Sequence, residues 1–170
     1  MKQKRWISTK ELIVFSMLGT IMFLSKLLME FLPNIHAIAL FIAVFTLVYR
    51  QKALIPIYVY VLLTGVYGGF NLWWVPYLYI WTILWGAIML IPKDASIKTK
   101  AIISAVLCAL HGLLYGALYA PVQAIMYGLS FKGMIAWIMV GIPFDITHMI
   151  GNIVLSLLIA PLYKIIKKFA

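Results

Sequence analysis

The chain has 170 residues, 65% of them hydrophobic and only 11% charged, with a mean hydropathy of +1.06. A water-soluble domain of this size has too little interior to hide so much apolar surface, which excludes an ordinary soluble protein and makes a bilayer the natural solvent. The formal net charge of +10 is dispersed over alternate loops rather than gathered in one basic segment, which argues against nucleic acid as the partner.

Uncharged runs cover residues 12–25, 31–49, 53–92, 101–131 and 146–163. At about 20 residues per helical span, the third run holds two helices and each of the others one. The expectation is a single all-α integral membrane domain, a bundle of six transmembrane helices. The first is predicted over 9–32, closing in "FLPNIH", where Pro33 and Asn34 supply a turn. The basic start is read as the flank of this helix and not as a secretory signal, because the chain beyond it stays apolar. The second helix spans 36–49 and turns at "RQK". The third spans 53–68 and stops at "YGGFN", where paired glycines release the backbone. The fourth spans 76–91 and ends in "PKDASIKTK". The fifth spans 101–120, with Pro121 expected to bend or end it. Residues 129–142 are read as a connection carrying a short surface helix, and the sixth span, 143–165, starts at Pro143.

Lys2, Lys4, Arg5 and Lys10 precede the first span, Arg50 and Lys52 follow the second, Lys93, Lys98 and Lys100 the fourth, and Lys164, Lys167 and Lys168 the sixth. Every second loop is basic. By the positive-inside rule both termini are cytoplasmic. The single Cys108 sits in an apolar run and reads as packing.

Against this background the segment "PFDITHMIGN", 143–152, stands out. Asp145, His148 and Asn152 fall on one narrow face of a helix. An acidic or basic group at the centre of a span costs on the order of 2.5–3.5 kcal/mol, so such residues face the bundle interior or a wet cavity. Lys26 and Glu30, four apart near the end of the first helix, form a second polar pair, and a Lys26–Asp145 pairing is geometrically open. Interhelical polar packing is the alternative to a binding site for all of them. Trp73, Trp74, Tyr77, Trp81 and Trp85 bracket the start of the fourth helix. An interfacial belt accounts for the first two, whereas Trp81 lies a turn deeper than Tyr77. Aromatic walls with few polar groups suit a planar heterocycle. Asn34, His36 and Asn71 lie in loops over the same mouth, with ordinary turn chemistry as their alternative. His111, Tyr115 and Gln123 are weaker candidates, and Gly112, Gly116 and Ala120 read as a close-packing stripe. The sequence has no Cys/His metal spacing, no G-x-S-x-G and no P-loop lysine.

Two stretches carry a family resemblance. "GIPFDITHMIGNIVLSLLIAPLYKIIKK", 141–168, is similar to the closing helix of vitamin-binding S components of energy-coupling factor (ECF) transporters. "KELIVFSMLGTIMFL", 10–24, resembles their opening helix, with Ser16 and Thr20 where the family's A-x-x-x-A motif has alanine. The resemblance implies a substrate-binding protein of a bacterial cytoplasmic membrane, not an enzyme. It would take up a vitamin-like micronutrient and dock on an EcfT-type membrane coupling subunit attached to two ATPases. ATP would be bound by those partners, with no cofactor on this chain. It also implies roles for residues. Ser16, Gly19 and Thr20 would form the docking surface. Asn34, His36, Asn71, Trp74, Tyr77, Trp81, Asp145, His148 and Asn152 would surround the cargo. Two other readings stand beside it: a membrane scaffold similar to the rod-shape protein MreD, and a small intramembrane enzyme using Asp145 and His148.

Overall fold

Ser8 starts the first helix, α1 (Thr9–Leu28). Its hydroxyl accepts from the Glu11 N–H at 3.2 Å while the Glu11 carboxylate accepts from the Ser8 N–H at 2.9 Å, a reciprocal cap that satisfies two otherwise free donors. The same carboxylate pairs with Lys52 at 2.6 Å and ties the helix start to the turn after the second helix. The computed structural model describes residues 6–169, so Lys2, Lys4 and Arg5 lie outside the described residues. Among those described it is helical, with no strand.

α1 ends at Leu28, four residues short of expectation. Pro33 disfavours helical backbone in the residue before it, and Asn34 takes a left-handed φ of 58°, so residues 29–37 become a string of turns. α2 (Ile38–Tyr49) comes next and is apolar all round, with Ile38, Ala39, Ile42, Ala43 and Val44 fully buried. A helix without a polar face belongs at the centre of a bundle. α2 is packed by α1 and by four of the later helices.

A 3-10 turn, Arg50–Ala53, leads into α3 (Leu54–Gly68). Arg50 has φ 55°, and its guanidinium donates to the carbonyls of Met89 at 2.5 Å and Ile91 at 3.2 Å. His36 and Tyr60 both touch Trp81, so the chain has folded back at this turn and α3 runs antiparallel to α2. A short 3-10 turn, Leu72–Trp74, precedes α4 (Tyr77–Met89).

α5 (Ile97–Leu113) begins four residues before the expected 101, because Ser96 caps it by accepting from the Thr99 N–H at 3.1 Å. The break expected at Pro121 falls instead at Leu114, and α6 (Tyr115–Tyr127) continues through the proline. The cause lies across the seam. The Gly116 N–H, which a continuous helix would give to Gly112, donates to the Asp145 carboxylate at 3.0 Å, and an inserted side chain interrupts the ladder.

The larger departure is α7 (Phe131–Ser156), capped by Ser130 and continuous through Pro143. Residues 129–142 are therefore mostly helix, not a connection, and the expected single span over 143–165 gives way to the second half of α7 and a separate α8 (Ile159–Lys167). Proline inside a membrane helix is tolerated although it frees the carbonyl four residues before it, here that of Met139. The Thr147 hydroxyl donates to the Pro143 carbonyl itself at 3.0 Å, an ordinary back-bond of a helical threonine. Among the described residues, five helical stretches are long and apolar enough to cross a membrane: Thr9–Leu28, Ile38–Gly68, Leu72–Met89, Ile97–Tyr127 and Phe131–Ser156. Their outward faces carry Met17, Leu28, Val140, Phe144 and Val154, each more than half exposed, as hydrocarbon contact requires.

A candidate ligand cavity beneath the α1–α2 connection

α1 runs away from the Glu11–Lys52 pair and brings Lys26 and Glu30 to the opposite end of the bundle. There the turns between α1 and α2 cover a cavity of about 210 Å³. Lys26, Glu30, Asn34 and His36 form its roof and rim, and Tyr77, Tyr115 and His148 its inner wall. Four parts of the chain deliver the deeper groups. Tyr77 opens α4, Tyr115 opens α6, His148 lies in the second half of α7, and His36 lies two residues before α2.

Behind this wall lies Trp81, fully buried, with a nest of other rings packed around it. Trp81 lies 5.6 Å from Tyr77, 5.6 Å from His111, 5.8 Å from Tyr115 and 6.0 Å from His36, centroid to centroid. His36 and His148 meet edge to face at 4.8 Å, and His148 meets Tyr115 at 5.0 Å. Burial, with the Lys26 ammonium nearby, pushes the His36 imidazole down to about 4, so this ring is neutral at physiological pH. His111 donates from Nε2 to the Ile80 carbonyl at 3.1 Å, since a carbonyl can only accept.

Several polar atoms of this nest have no partner. They are His36 Nδ1 and His148 Nε2 at the cavity, and Trp81 Nε1, His111 Nδ1 and the Tyr60 hydroxyl behind it. Buried polar groups are nearly always paired; of these five, only His36 Nδ1 and His148 Nε2 belong to residues that line the cavity, within reach of a molecule bound there. Tyr60 carried no sequence signal, because in "IPIYVYVLL" it reads as one more apolar position.

The other expected site residues are placed elsewhere. The Asp145 carboxylate is held by the Gly116 N–H at 3.0 and 3.2 Å, and the Asn152 side-chain amide donates to the Cys108 carbonyl at 2.8 Å. Both lie in the seam of α7 against α5 and α6, where a Cβ on Gly116 would stand 2.5 Å from Asp145 Oδ2. The Lys26–Asp145 pairing is not made; Lys26 Nζ lies 5.8 Å over the Tyr77 ring instead. Nor does a hydrogen bond join Asp145 to His148, although one helix face carries both. Trp74 donates from its indole to the Val61 carbonyl at 2.8 Å, and Asn71 is exposed beside Gly69. Among the described residues no three His, Cys, Asp or Glu side chains converge as metal ligands.

On α1, Ser16 and Thr20 donate to their own helix, to the Leu12 and Ser16 carbonyls at 2.9 Å each. Gly19 faces inward, where a Cβ would stand 2.6 Å from Val59 Cβ. The three do not share one outward face. Compared with protein-family models, curated proteins and solved structures, the chain matches none.

Proposed function

We propose that this chain is the substrate-binding S component of an ECF-type importer in a bacterial cytoplasmic membrane. In this reading it crosses the bilayer six times, holds both termini in the cytoplasm, and opens its cavity outward to a vitamin-like micronutrient. The observation that carries the proposal is the void under the α1–α2 turns, walled by rings packed edge to face, among which the buried His36 Nδ1 and His148 Nε2 lack partners. A scaffold requires no such void.

The size narrows the cargo. An apolar cavity of about 150 Å³ accepts a benzene ring, so about 210 Å³ takes one substituted heterocycle as it stands. A larger cargo requires the α1–α2 turns to lift. His36 and His148 offer hydrogen-bonding nitrogens, Tyr77 and Tyr115 offer ring faces, and Lys26 with Glu30 at the rim matches a group of either charge. Transport energy would come from two partner ATPases through a membrane coupling subunit, with Ser16 and Thr20 as the part of the small-residue motif left accessible on α1.

The test is native mass spectrometry of the purified protein for a retained small molecule, with a thermal-shift screen of vitamins after it. A bound ligand raises the melting temperature with its concentration, about 2.7 kcal/mol at a hundred times Kd. His148→Ala should keep the apo melting temperature within a few degrees and abolish the ligand-induced rise. Failure of every compound to shift the wild type, with no retained small molecule, defeats the proposal.

A further inference from the structure

The end of the bundle opposite the cavity carries a second built site, and it is independent of the cargo reading. A groove of about 310 Å³ runs between the end of α2, the start of α5 and α8, lined by Leu47, Val48, Lys93, Lys100, Tyr163 and Lys167. Three of these are ammonium groups, and no carboxylate lines the groove among the described residues. Lys100 is the informative one. It is only 7% exposed, and its ammonium donates to the Lys93 carbonyl at 2.7 Å. An ammonium has three donors, so two remain for a visitor. Its Nζ lies 5.4 Å over the Tyr163 ring, and Lys167 Nζ lies 5.5 Å over the same ring. Two ammonium groups thus share one buried tyrosine with no carboxylate in the groove among the described residues, and an anion bound there would offset their mutual repulsion.

The geometry points to the phosphodiester of an anionic phospholipid as that anion. The groove floor is apolar at Leu47 and Val48, and next to it lies a depression lined by Ile97, Lys164 and Lys168. Ile97, Ile165 and Phe169 are 38%, 52% and 84% exposed. A soluble anion has no use for them, whereas acyl chains do. α8 adds the geometry of an interfacial helix, burying Ile159 and Tyr163 while its lysines face out. Lys52 is excluded from the site, because Glu11 already pairs it.

The full chain, purified, delipidated and returned to mixed micelles, is titrated with phosphatidylglycerol or phosphatidylcholine and read by native mass spectrometry. Retention should favour phosphatidylglycerol by about tenfold or more, and Lys167→Gln should lower it about fivefold, the effect of one basic residue at a membrane surface. Lys100→Gln should do at least as much; Lys167 is exposed, so its variant carries the test even if the Lys100 variant fails to fold. Lys98→Gln, in the first turn of α5 but outside the groove, should change nothing. Equal retention of both lipids overturns the inference, as does an equal loss with Lys98→Gln, which would mean diffuse charge. Displacement of the lipid by millimolar glycerol phosphate would assign the groove to a free anion. Tighter binding of poly-glutamate than of phosphatidylglycerol would assign it to an acidic protein partner.

Discussion

Asp145 separates a packing role from a ligand role at the level of one side chain. Its carboxylate accepts the N–H that α6 withdraws from its own ladder. Asp145→Leu strands that donor in a buried seam, at about 1–3 kcal/mol, whereas Asp145→Asn keeps an acceptor oxygen and should lose less. Unfolding in mixed detergent micelles measures both; if neither variant moves stability, the carboxylate is not structural. His36 gives a pH prediction. Its imidazole is neutral in the fold down to about pH 4, while in the unfolded chain it takes a proton near pH 6.5. The unfolded state therefore binds the proton first, and stability falls as pH drops from about 6.5 towards 4. Melting temperatures across that window should fall less steeply for His36→Gln than for the wild type, and identical slopes would remove His36 as a contributor. The stripe of Asp145, His148 and Asn152 was legible because helical spacing alone puts the three on one face. Which of them meets the cavity was not, because that depends on the neighbour each one faces. Gly112 and Gly116 bring α5 and α6 close enough to engage Asn152 and Asp145, and only His148 is left beside the void.

At the scale of the element, α1 performs two tasks on two faces. Gly19 lets it lie against α3, where an added Cβ would stand 2.6 Å from Val59 Cβ and 2.7 Å from the Pro56 carbonyl. Because one of these is backbone, Gly19→Ala must push the helices apart, and overpacking of this kind costs about 1–3 kcal/mol. Thermal unfolding in detergent reads that loss, and an unchanged melting temperature would mean the α1–α3 contact is loose. Ser16→Leu acts on a half-exposed position whose hydroxyl serves only its own helix. It should leave the melting temperature and cargo binding unchanged and abolish uptake in cells if α1 is the docking helix; loss of binding and uptake together would refute that division. Helix starts and stops were readable only where local chemistry decides them. Ser8 with Glu11, and the turn at Pro33 and Asn34, act within a few residues. Pro143 illustrates the opposite case. Its cost to the ladder is local, but α7 continues because α5 and α6 pack against it, and no short window of sequence contains that fact.

For the whole molecule, the distribution of charge orders the two ends. Arg50, Lys52 and Lys93 line one depression, and Lys93, Lys100 and Lys167 the adjoining groove, so the loops that sequence spacing made basic meet at one end of the bundle. The cavity lies at the other, where α1 and α2 join. Positive charge resists translocation, so the proposed orientation has the basic end in the cytoplasm and the cavity outside. Cysteine labelling reads this orientation directly. The native Cys108 is fully buried and its thiol donates to the Ala39 carbonyl, so it is silent to a bulky maleimide. Asn71→Cys lies in an exposed loop near the start of α4, and Lys98→Cys at the exposed start of α5. In intact cells a membrane-impermeant maleimide should label Asn71→Cys at once and Lys98→Cys only after permeabilisation. The reverse pattern would place the cavity on the cytoplasmic face, where a protein that captures scarce nutrients from outside has no use for it, and the importer reading would fall with the orientation.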